Sequence, residues 1–282
     1  MRVVKQLGFV VVVALLGSLV VRAAQWDAPS TLLLGLAAAA ATVLAYRWVV
    51  GRTERRVPTE LLFRGAGRAL GRGALTGFAL FGGAVALMAV FGDYRIAGWG
   101  SASGAVALLG FSAAAAVTEE VIFRGVLFRV LEGRLGSWLA LVLTAALFGA
   151  SHLLNPHASL WGAVAITVEA GAMLAAAYVA TRTLWLPIGL HFAWNFAEGG
   201  IFGMSVSGTD QPQGLLHSVL SGPAWITGGD FGPEAGVFSV LVCSTVTAGF
   251  LVLAHRRGNL RPRGAGRAGG IAAPHREPRP VR

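Results

Sequence analysis

Three segments of the sequence carry pairs of polar or aromatic side chains spaced four residues apart, inside otherwise apolar runs. The pairs are Glu120 with Arg124, Phe148 with His152, and His191 with Asn195. Residues four apart lie on one face of an α-helix. An ionisable group inside a membrane span costs at least ~2.5–3.5 kcal/mol on insertion scales, so such groups usually mark function. The three segments therefore indicate a polar site built between helices.

Glu119 and Glu120 are adjacent, so their side chains project about 100° apart on a helix. Glu120 can pair with Arg124, with the acid in the favourable N-terminal position. Glu119 then has no local counter-charge, and such a carboxylate can accept a proton from water. The alternative is that both glutamates pair with arginines such as Arg124 and Arg129 at the inner surface and have a structural role only.

His191 and Asn195 offer an imidazole and a carboxamide to the same region. Together they can donate two hydrogen bonds to one oxygen, which suits an oxyanion developing on a peptide carbonyl. The alternative is a polar contact that joins helices, as His and Asn often provide in membranes. Phe148 can wall off and orient the ring of His152, although a lone His near the end of a span is also typical of an interface residue.

The composition indicates which elements must position these residues. The chain has 282 residues, of which 55% are hydrophobic and 13% charged, with a mean hydropathy of +0.66. A typical soluble domain has roughly 25% charged residues, so these values exclude a soluble enzyme, a disordered chain and a secreted disulfide scaffold. The single cysteine, Cys243, excludes an internal disulfide and a cysteine-based metal site.

Eight apolar runs are long enough to approach the ~20 residues that a membrane span needs. They cover approximately residues 7–22, 31–50, 74–91, 104–128, 138–154, 160–180, 184–203 and 234–254. The first run follows Arg2 and Lys5, as in a signal peptide, but seven further runs follow it, so we interpret it as a retained helix. The predicted fold is an all-α polytopic membrane helix bundle of about eight transmembrane helices.

The net charge of +10 could suggest nucleic acid, but the basic residues lie between the apolar runs and on the tail. With a cytoplasmic N-terminus and eight spans, 21 of the 23 Lys and Arg residues fall on the cytoplasmic side, and only Arg22 and Arg95 fall outside. The positive-inside rule therefore predicts that both termini are cytoplasmic. Helix rise predicts a shared site near mid-membrane, nearer the cytoplasmic side.

The three segments resemble the CPBP family, membrane proteins related to the type II CAAX prenyl proteases and to bacteriocin-processing and immunity proteins. The resemblance rests on Glu-Glu-x-x-x-Arg at 119–124, Phe-x-x-x-His at 148–152 and His-x-x-x-Asn at 191–195, in the family's order and with flanks such as EEVIFRGVLF. The resemblance covers about residues 110–200, and together with the apolar runs and the composition of the tail it suggests three parts. They are three N-terminal transmembrane helices with a basic cytoplasmic loop (1–103), a CPBP-like catalytic helical core (104–255) and a disordered basic tail (256–282).

The resemblance implies an intramembrane endopeptidase. Glu119 and His152 would activate water, His191 and Asn195 would stabilise the oxyanion, and supporting roles would fall to Glu120, Arg124 and Phe148. The cofactor stays open between none and zinc, because a Glu with two His could bind zinc but no His-Glu-x-x-His motif is present. The expected partners are a membrane-embedded or lipidated protein or peptide substrate and the lipid bilayer, with no nucleic acid.

The arginine-rich composition suggests a bacterial chain, which would then lie in the inner or plasma membrane as a multi-pass protein. Other functions stay open. The same scaffold could be a non-catalytic binding or bacteriocin-immunity protein. A transporter or proton relay could use Glu119, Glu169 and the histidines, although no repeat symmetry is evident. Two histidines in facing spans could also ligate haem iron.

Overall fold

The computed structural model describes residues 2–91 and 94–263, and in this part of the chain the fold is a bundle of long helices. In chain order the elements are α1 (Arg2–Ala23), α2 (Ala28–Glu54), α3 (Ala66–Val90), β1 (Tyr94–Trp99), α4 (Ala102–Leu135), α5 (Ser137–Leu154), α6 (Leu160–Thr181), α7 (Trp185–Asn195, continued by a π-helical turn over Phe196–Ile201), β2 (Leu216–Leu220), α8 (Ala224–Thr227) and α9 (Val237–Arg256).

Seven of the described helices are long and apolar enough to cross a membrane: α1 to α6 and α9. The predicted run 184–203 corresponds to α7, an α-helix of 11 residues with a π-helical extension of six. It is shorter than the other spans, and most of its residues are buried, since it packs against neighbouring helices. The predicted all-α polytopic membrane bundle is confirmed, and the chain is a multi-pass membrane protein.

The helices alternate in direction, so the bundle has two ends. We call one end the loop face: it carries the turn 24–27, the two strands and the long connection 202–236. We call the other end the arginine face: it carries the connection 55–65, the turns at Gly136 and 182–184, and the end of α9 at Arg256. Two buried hydrophobic clusters fill the interior, one around Tyr46 and Phe128 and one around Phe81 and Phe148.

Two glycines allow the backbones of α2 and α4 to approach closely. A Cβ atom on Gly35 of α2 would lie 2.2 Å from the carbonyl oxygen of Gly110 in α4, and one on Gly110 would lie 2.5 Å from Leu32 Cα. Small residues allow helix backbones to approach closely in membranes. The pair thus fixes α4, which carries the first polar segment, against α2.

The loop face is organised by an antiparallel pair of strands, in which Tyr94 lies opposite Leu220 and Trp99 opposite Leu216. The connection then returns to the helix ends: Gly208 N donates to Phe231 O at 2.6 Å, and His157 N donates to Gly208 O at 2.9 Å. As a result, residues 204–211 lie over the end of α5.

Ion pairs organise the arginine face. Arg182 Nη1 lies 2.6 Å from Glu132 Oε2. The chain after α9 also packs here, where Asn259 Nδ2 donates to Val179 O at 3.0 Å and Arg261 N donates to Ser137 Oγ at 2.8 Å. Residues 256–263, predicted as the start of a disordered tail, therefore make specific contacts. The rest of the predicted tail, 264–282, lies outside the described residues.

Three of the helices contain π-helical turns: Val121–Phe128 in α4, Thr167–Ala172 in α6 and Phe196–Ile201 after α7. A π-helical turn departs from the 3.6-residue period, and such turns are frequent at functional sites. The 3.6-residue pattern of the sequence did not predict them.

Candidate active site

A buried ion pair lies where α4 enters its π-helical turn. Glu120 is fully buried, and its Oε1 accepts a hydrogen bond of 2.7 Å from Arg124 Nη1. Arg124 Nη2 also donates to the carbonyl oxygens of Ala170 at 3.2 Å and Gly171 at 3.0 Å, in the π-helical turn of α6. The guanidinium carbon lies 4.6 Å from the centroid of the Phe148 ring. The buried charge thus has both a counter-ion and backbone acceptors, as such a charge requires.

His191 of α7 lies between the two neighbouring glutamates of α4. Its Nδ1 is 3.0 Å from Glu120 Oε1, and its Nε2 is 3.9 Å from Glu119 Oε2. The Phe148 ring stands edge-on to the imidazole, with the centroids 6.0 Å apart. Glu120 therefore orients His191 as well as Arg124, and the opposite edge of the imidazole points toward Glu119.

Glu119 differs from Glu120 in both exposure and partners. Its side chain is 32% exposed, and its Oε2 has no hydrogen-bond partner among the described residues. The carboxylate therefore keeps its acceptor capacity for a molecule that enters the site.

His152 lies in the 3-10 turn that ends α5. Its Nδ1 is 2.8 Å from the carbonyl oxygen of Phe148. A carbonyl only accepts hydrogen bonds, so this contact places the ring proton on Nδ1 and leaves Nε2 with a free lone pair. The Phe148 ring centroid lies 4.9 Å from that of His152, so the ring is held on one side by an aromatic wall.

Glu119, His152 and Asn195 line one cavity of about 260 Å³. Small residues of α1, α2 and α4 form much of its wall, including Ala14, Gly17, Ala38, Ala114 and Ala115. His152 and Asn195 also border a second hollow of about 10 Å³, which His191 and Phe148 line as well. That volume approaches the space one water molecule needs.

The structure thus brings all seven predicted site residues into one region, although they come from three helices, α4, α5 and α7. Glu119, His152 and Asn195 line the cavity of about 260 Å³. Glu120, Arg124 and Phe148 do not line it and support the site from the buried side. His191 stands between the two groups. An acceptor carboxylate, an imidazole lone pair and a carboxamide around one cavity can polarise water and stabilise an oxyanion.

Three buried glutamates lie outside the set of seven site residues. Glu169, Glu198 and Glu234 are buried, at 1%, 0% and 2% exposure. Glu234 Oε2 accepts hydrogen bonds from Ser207 N at 2.7 Å and Ser207 Oγ at 2.6 Å, and Cys243 Sγ lies 3.5 Å from Glu169 Oε1. Among the described residues, neither oxygen of Glu198 has a hydrogen-bond partner.

The sequence contained a signal for Glu198, since this acid lies within the predicted span 184–203. Glu234 is buried because the connection 202–236 returns to the helix ends.

Glu119, His152 and His191 are donors of the kind that zinc uses. In the part of the chain that the structure describes, however, no three His, Cys, Asp or Glu side chains are gathered to hold a metal ion. One nitrogen of His191 already contacts Glu120, and one nitrogen of His152 contacts a carbonyl. In both rings these contacts involve Nδ1 and leave Nε2 available, as in metal-binding imidazoles, so the misfit to a preformed zinc site lies only in the spread of the three donors.

These features define a multi-pass membrane protein with a polar cavity enclosed by its helices. Residues 101–197 match the family described as Rce1-like, type II CAAX prenyl endopeptidase Rce1-like. This segment, which contains all seven site residues, is similar to the CAAX protease-like family, and the resemblance seen in the motifs is confirmed. The family is one of intramembrane CAAX-type proteases. No curated protein and no solved structure matches the chain.

Proposed function

We propose that the protein is a glutamate-dependent intramembrane endopeptidase that hydrolyses a peptide bond in a membrane-anchored or lipidated polypeptide. The observation that carries the proposal is that two acceptor groups line one cavity. They are the carboxylate of Glu119, whose Oε2 has no hydrogen-bond partner among the described residues, and the imidazole of His152, whose Nε2 is not the nitrogen that contacts Phe148 O. A family of prenyl endopeptidases supports peptide hydrolysis as the chemistry.

In this mechanism a water molecule lies between Glu119 and His152 Nε2. Its oxygen attacks the carbonyl carbon of the scissile bond, and its proton passes to Glu119. When the carbon–nitrogen bond breaks, the protonated carboxyl returns that proton to the leaving amine. Proton transfer by a positioned group contributes roughly 10²–10⁴-fold to a rate.

Asn195 and His191 stabilise the oxyanion. The Asn195 carboxamide donates directly. His191 donates from Nε2 only as an imidazolium, because its Nδ1 proton faces Glu120. The two flanking carboxylates supply the counter-charge for that form. Glu120 and Arg124 act as positioning residues, since they hold His191 and the π-helical turn of α6.

The substrate is a polypeptide whose cleavage site lies at a lipid anchor or at the end of a membrane segment. The family description points to prenylated peptides, and the composition points to a bacterial plasma membrane. The wall of small residues on the large cavity leaves room for an extended chain to approach Glu119.

The Glu119→Gln substitution tests the proposal. It keeps the shape of the side chain but removes the base, so we expect cleavage to fall by roughly 10²–10⁴-fold. Membranes of the native host carrying the wild-type protein or the variant would be compared for new peptide termini near membrane anchors.

Glu198→Gln is the matched control, because it changes a buried glutamate that does not line the cavity, and we expect its termini to equal those of the wild type. The proposal is wrong if the Glu119→Gln protein and the wild type give identical termini and the host phenotype is unchanged. That result would favour a non-catalytic binding or immunity protein.

A further inference from the structure

Arg22 occupies an unusual position at the end of α1. It is one of two Lys or Arg residues that the positive-inside pattern predicts outside the cytoplasm. It is exposed, and in the described part of the chain its guanidinium has no ion pair within 4.0 Å and no hydrogen bond. It also lines the catalytic cavity, where it is the one arginine or lysine among the described lining residues.

The cavity opens on the loop face. Its lining there comes from the end of α1 and from residues after the last turns of α5 and α7, including Asn155, Thr209 and Gln211. Toward the arginine face it is closed by Ala14 and Thr42, which are buried. The sequence predicts a site nearer the cytoplasmic side, but the opening lies at the opposite end, because the connection 202–236 and the turn at His152 form the mouth.

An aromatic hollow adjoins Arg22. A space of about 80 Å³ is lined by Val21, Arg22, Trp26 and Phe111, and the rings of Trp26 and Phe111 lie 5.2 Å apart. The turn that carries Trp26 has positive φ at Gln25 (47°) and Trp26 (65°), so the backbone adopts an uncommon conformation that sets this indole beside the cavity. A cation and an apolar hollow thus stand together at the mouth.

We propose that the substrate enters the catalytic cavity from the loop face, on the non-cytoplasmic side, and that Arg22 binds an oxyanion at the mouth, either a carboxylate or a phosphate. The guanidinium matches both groups through two parallel hydrogen bonds. A carboxylate would be the free C-terminus of the substrate, and a phosphate would belong to the headgroup of the lipid that surrounds or anchors it. This inference rests on the proposed function for the identity of the cavity.

The first experiment tests the side of entry without any proteolysis. In a Cys243→Ala background, Gln211→Cys places a thiol at the mouth and Arg64→Cys places one on the arginine face. Intact cells are treated with a membrane-impermeant maleimide before and after permeabilisation. We expect Gln211→Cys to react in intact cells and Arg64→Cys to react only after permeabilisation. Any other pattern overturns entry from the non-cytoplasmic side.

The second experiment tests the oxyanion site in the Glu119→Gln protein, which binds without cleaving. The probes are a farnesylated CAAX-type tetrapeptide as the free acid, the same peptide as the C-terminal amide, and phosphatidylglycerol, each titrated in dodecyl maltoside. Charged hydrogen bonds of this kind correspond to about tenfold in affinity. We expect Arg22→Gln to lower the affinity for one of two probes by about that factor. If the oxyanion is the carboxylate, the affinity for the free acid falls and that for the amide does not. If it is the phosphate, the affinity for phosphatidylglycerol falls.

Arg95→Gln is the matched control, because Arg95 is exposed on the loop face but does not line the cavity. Loss of affinity for the free acid assigns the carboxylate source, and loss for phosphatidylglycerol assigns the headgroup source. Equal affinities in the Arg22→Gln and Arg95→Gln proteins for all three probes overturn the oxyanion site. Failure of the proposed function would show separately, as unchanged cleavage with Glu119→Gln in the host.

Discussion

Glu119 and Glu120 are neighbours in the chain, yet they have opposite surroundings. Glu120 is fully buried and contacts both Arg124 and His191. Glu119 faces the cavity with one oxygen unpartnered among the described residues. The 100° between consecutive helix positions is sufficient to separate a structural carboxylate from one that is available for chemistry.

The Glu120→Gln substitution should be more damaging to the fold than Glu119→Gln. Removing one partner of a buried ion pair leaves an uncompensated charge and costs roughly 3–5 kcal/mol, and Arg124 is only 1% exposed. We expect a clearly lower midpoint of thermal unfolding in detergent for Glu120→Gln, and a midpoint near the wild-type value for Glu119→Gln. Equal midpoints for the two variants would contradict the structural role of Glu120.

Spacing in the sequence indicated the seven site residues and the Glu120–Arg124 contact, because side chains four apart share a helix face whatever the tertiary fold. The environment of the three buried glutamates outside that set could not be predicted in the same way. Glu198 and Glu234 are brought together by the return of a long connection, and this contact has no local signature.

At the scale of the helices, the contact between α2 and α4 depends on two glycines. Sequence composition indicated that small residues permit close contacts, but it could not pair Gly35 with Gly110, because hydropathy does not specify which helices are neighbours. The same limitation applies to the strands. Their pairing joins residues more than a hundred positions apart, and the sequence pattern predicted only helices.

The Gly35→Ala substitution should separate α2 from α4. The added Cβ would lie 2.2 Å from Gly110 O, and overpacking of this kind costs typically about 1–3 kcal/mol. We expect a lower free energy of unfolding, measured with denaturant in mixed micelles, and reduced cleavage because α4 carries Glu119.

Gly8→Ala in α1 is the control for this substitution, because no atom lies within 4 Å of its added Cβ. Alanine also favours helix over glycine by about 1 kcal/mol. A Gly35→Ala protein as stable as Gly8→Ala would show that the helices can move apart without cost.

At the scale of the whole molecule, acidic side chains hold the arginine face together. The count of basic residues predicted the orientation of the chain but not these ion pairs. Glu60 accepts two hydrogen bonds from Arg56, at 2.9 and 2.7 Å, and also contacts Tyr46 Oη, which lies 2.9 Å from Gly125 O in α4. Its backbone carbonyl accepts from Leu184 N at 2.9 Å, just before α7. One residue outside the spans thus connects α2, α4 and α7.

The Glu60 carboxylate should make the fold sensitive to acid. Burial alone would raise its pKa, but the hydrogen bonds from Arg56 and Tyr46 outweigh burial and hold the pKa below its usual value of 4.5. A carboxylate with a lowered folded-state pKa contributes stability above its unfolded-state pKa and loses it as the pH falls through the folded-state value. We expect the unfolding temperature to decrease as the pH falls below about 5. We expect Glu60→Gln to make this decrease smaller and to lower the unfolding temperature at pH 7.

Asp230→Asn serves as the comparison, because Asp230 is exposed on the loop face and its side chain makes no hydrogen bond within the described residues. Its unfolding temperature should follow the wild-type dependence on pH. If the unfolding temperature of the Glu60→Gln protein depends on pH as that of the wild type does, Glu60 is not a source of the acid sensitivity.

The π-helical turns have a consequence for how this chain is compared with its relatives. A π-helical turn holds more residues than an α-helical turn, so the helix beyond it is rotated relative to an uninterrupted one. Arg124, Glu169 and Glu198 each lie within such a turn. A relative with a regular helix at one of these places would need a one-residue gap in the alignment for its later side chains to face the same way. An ungapped alignment there would pair cavity residues of one protein with lipid-facing residues of the other.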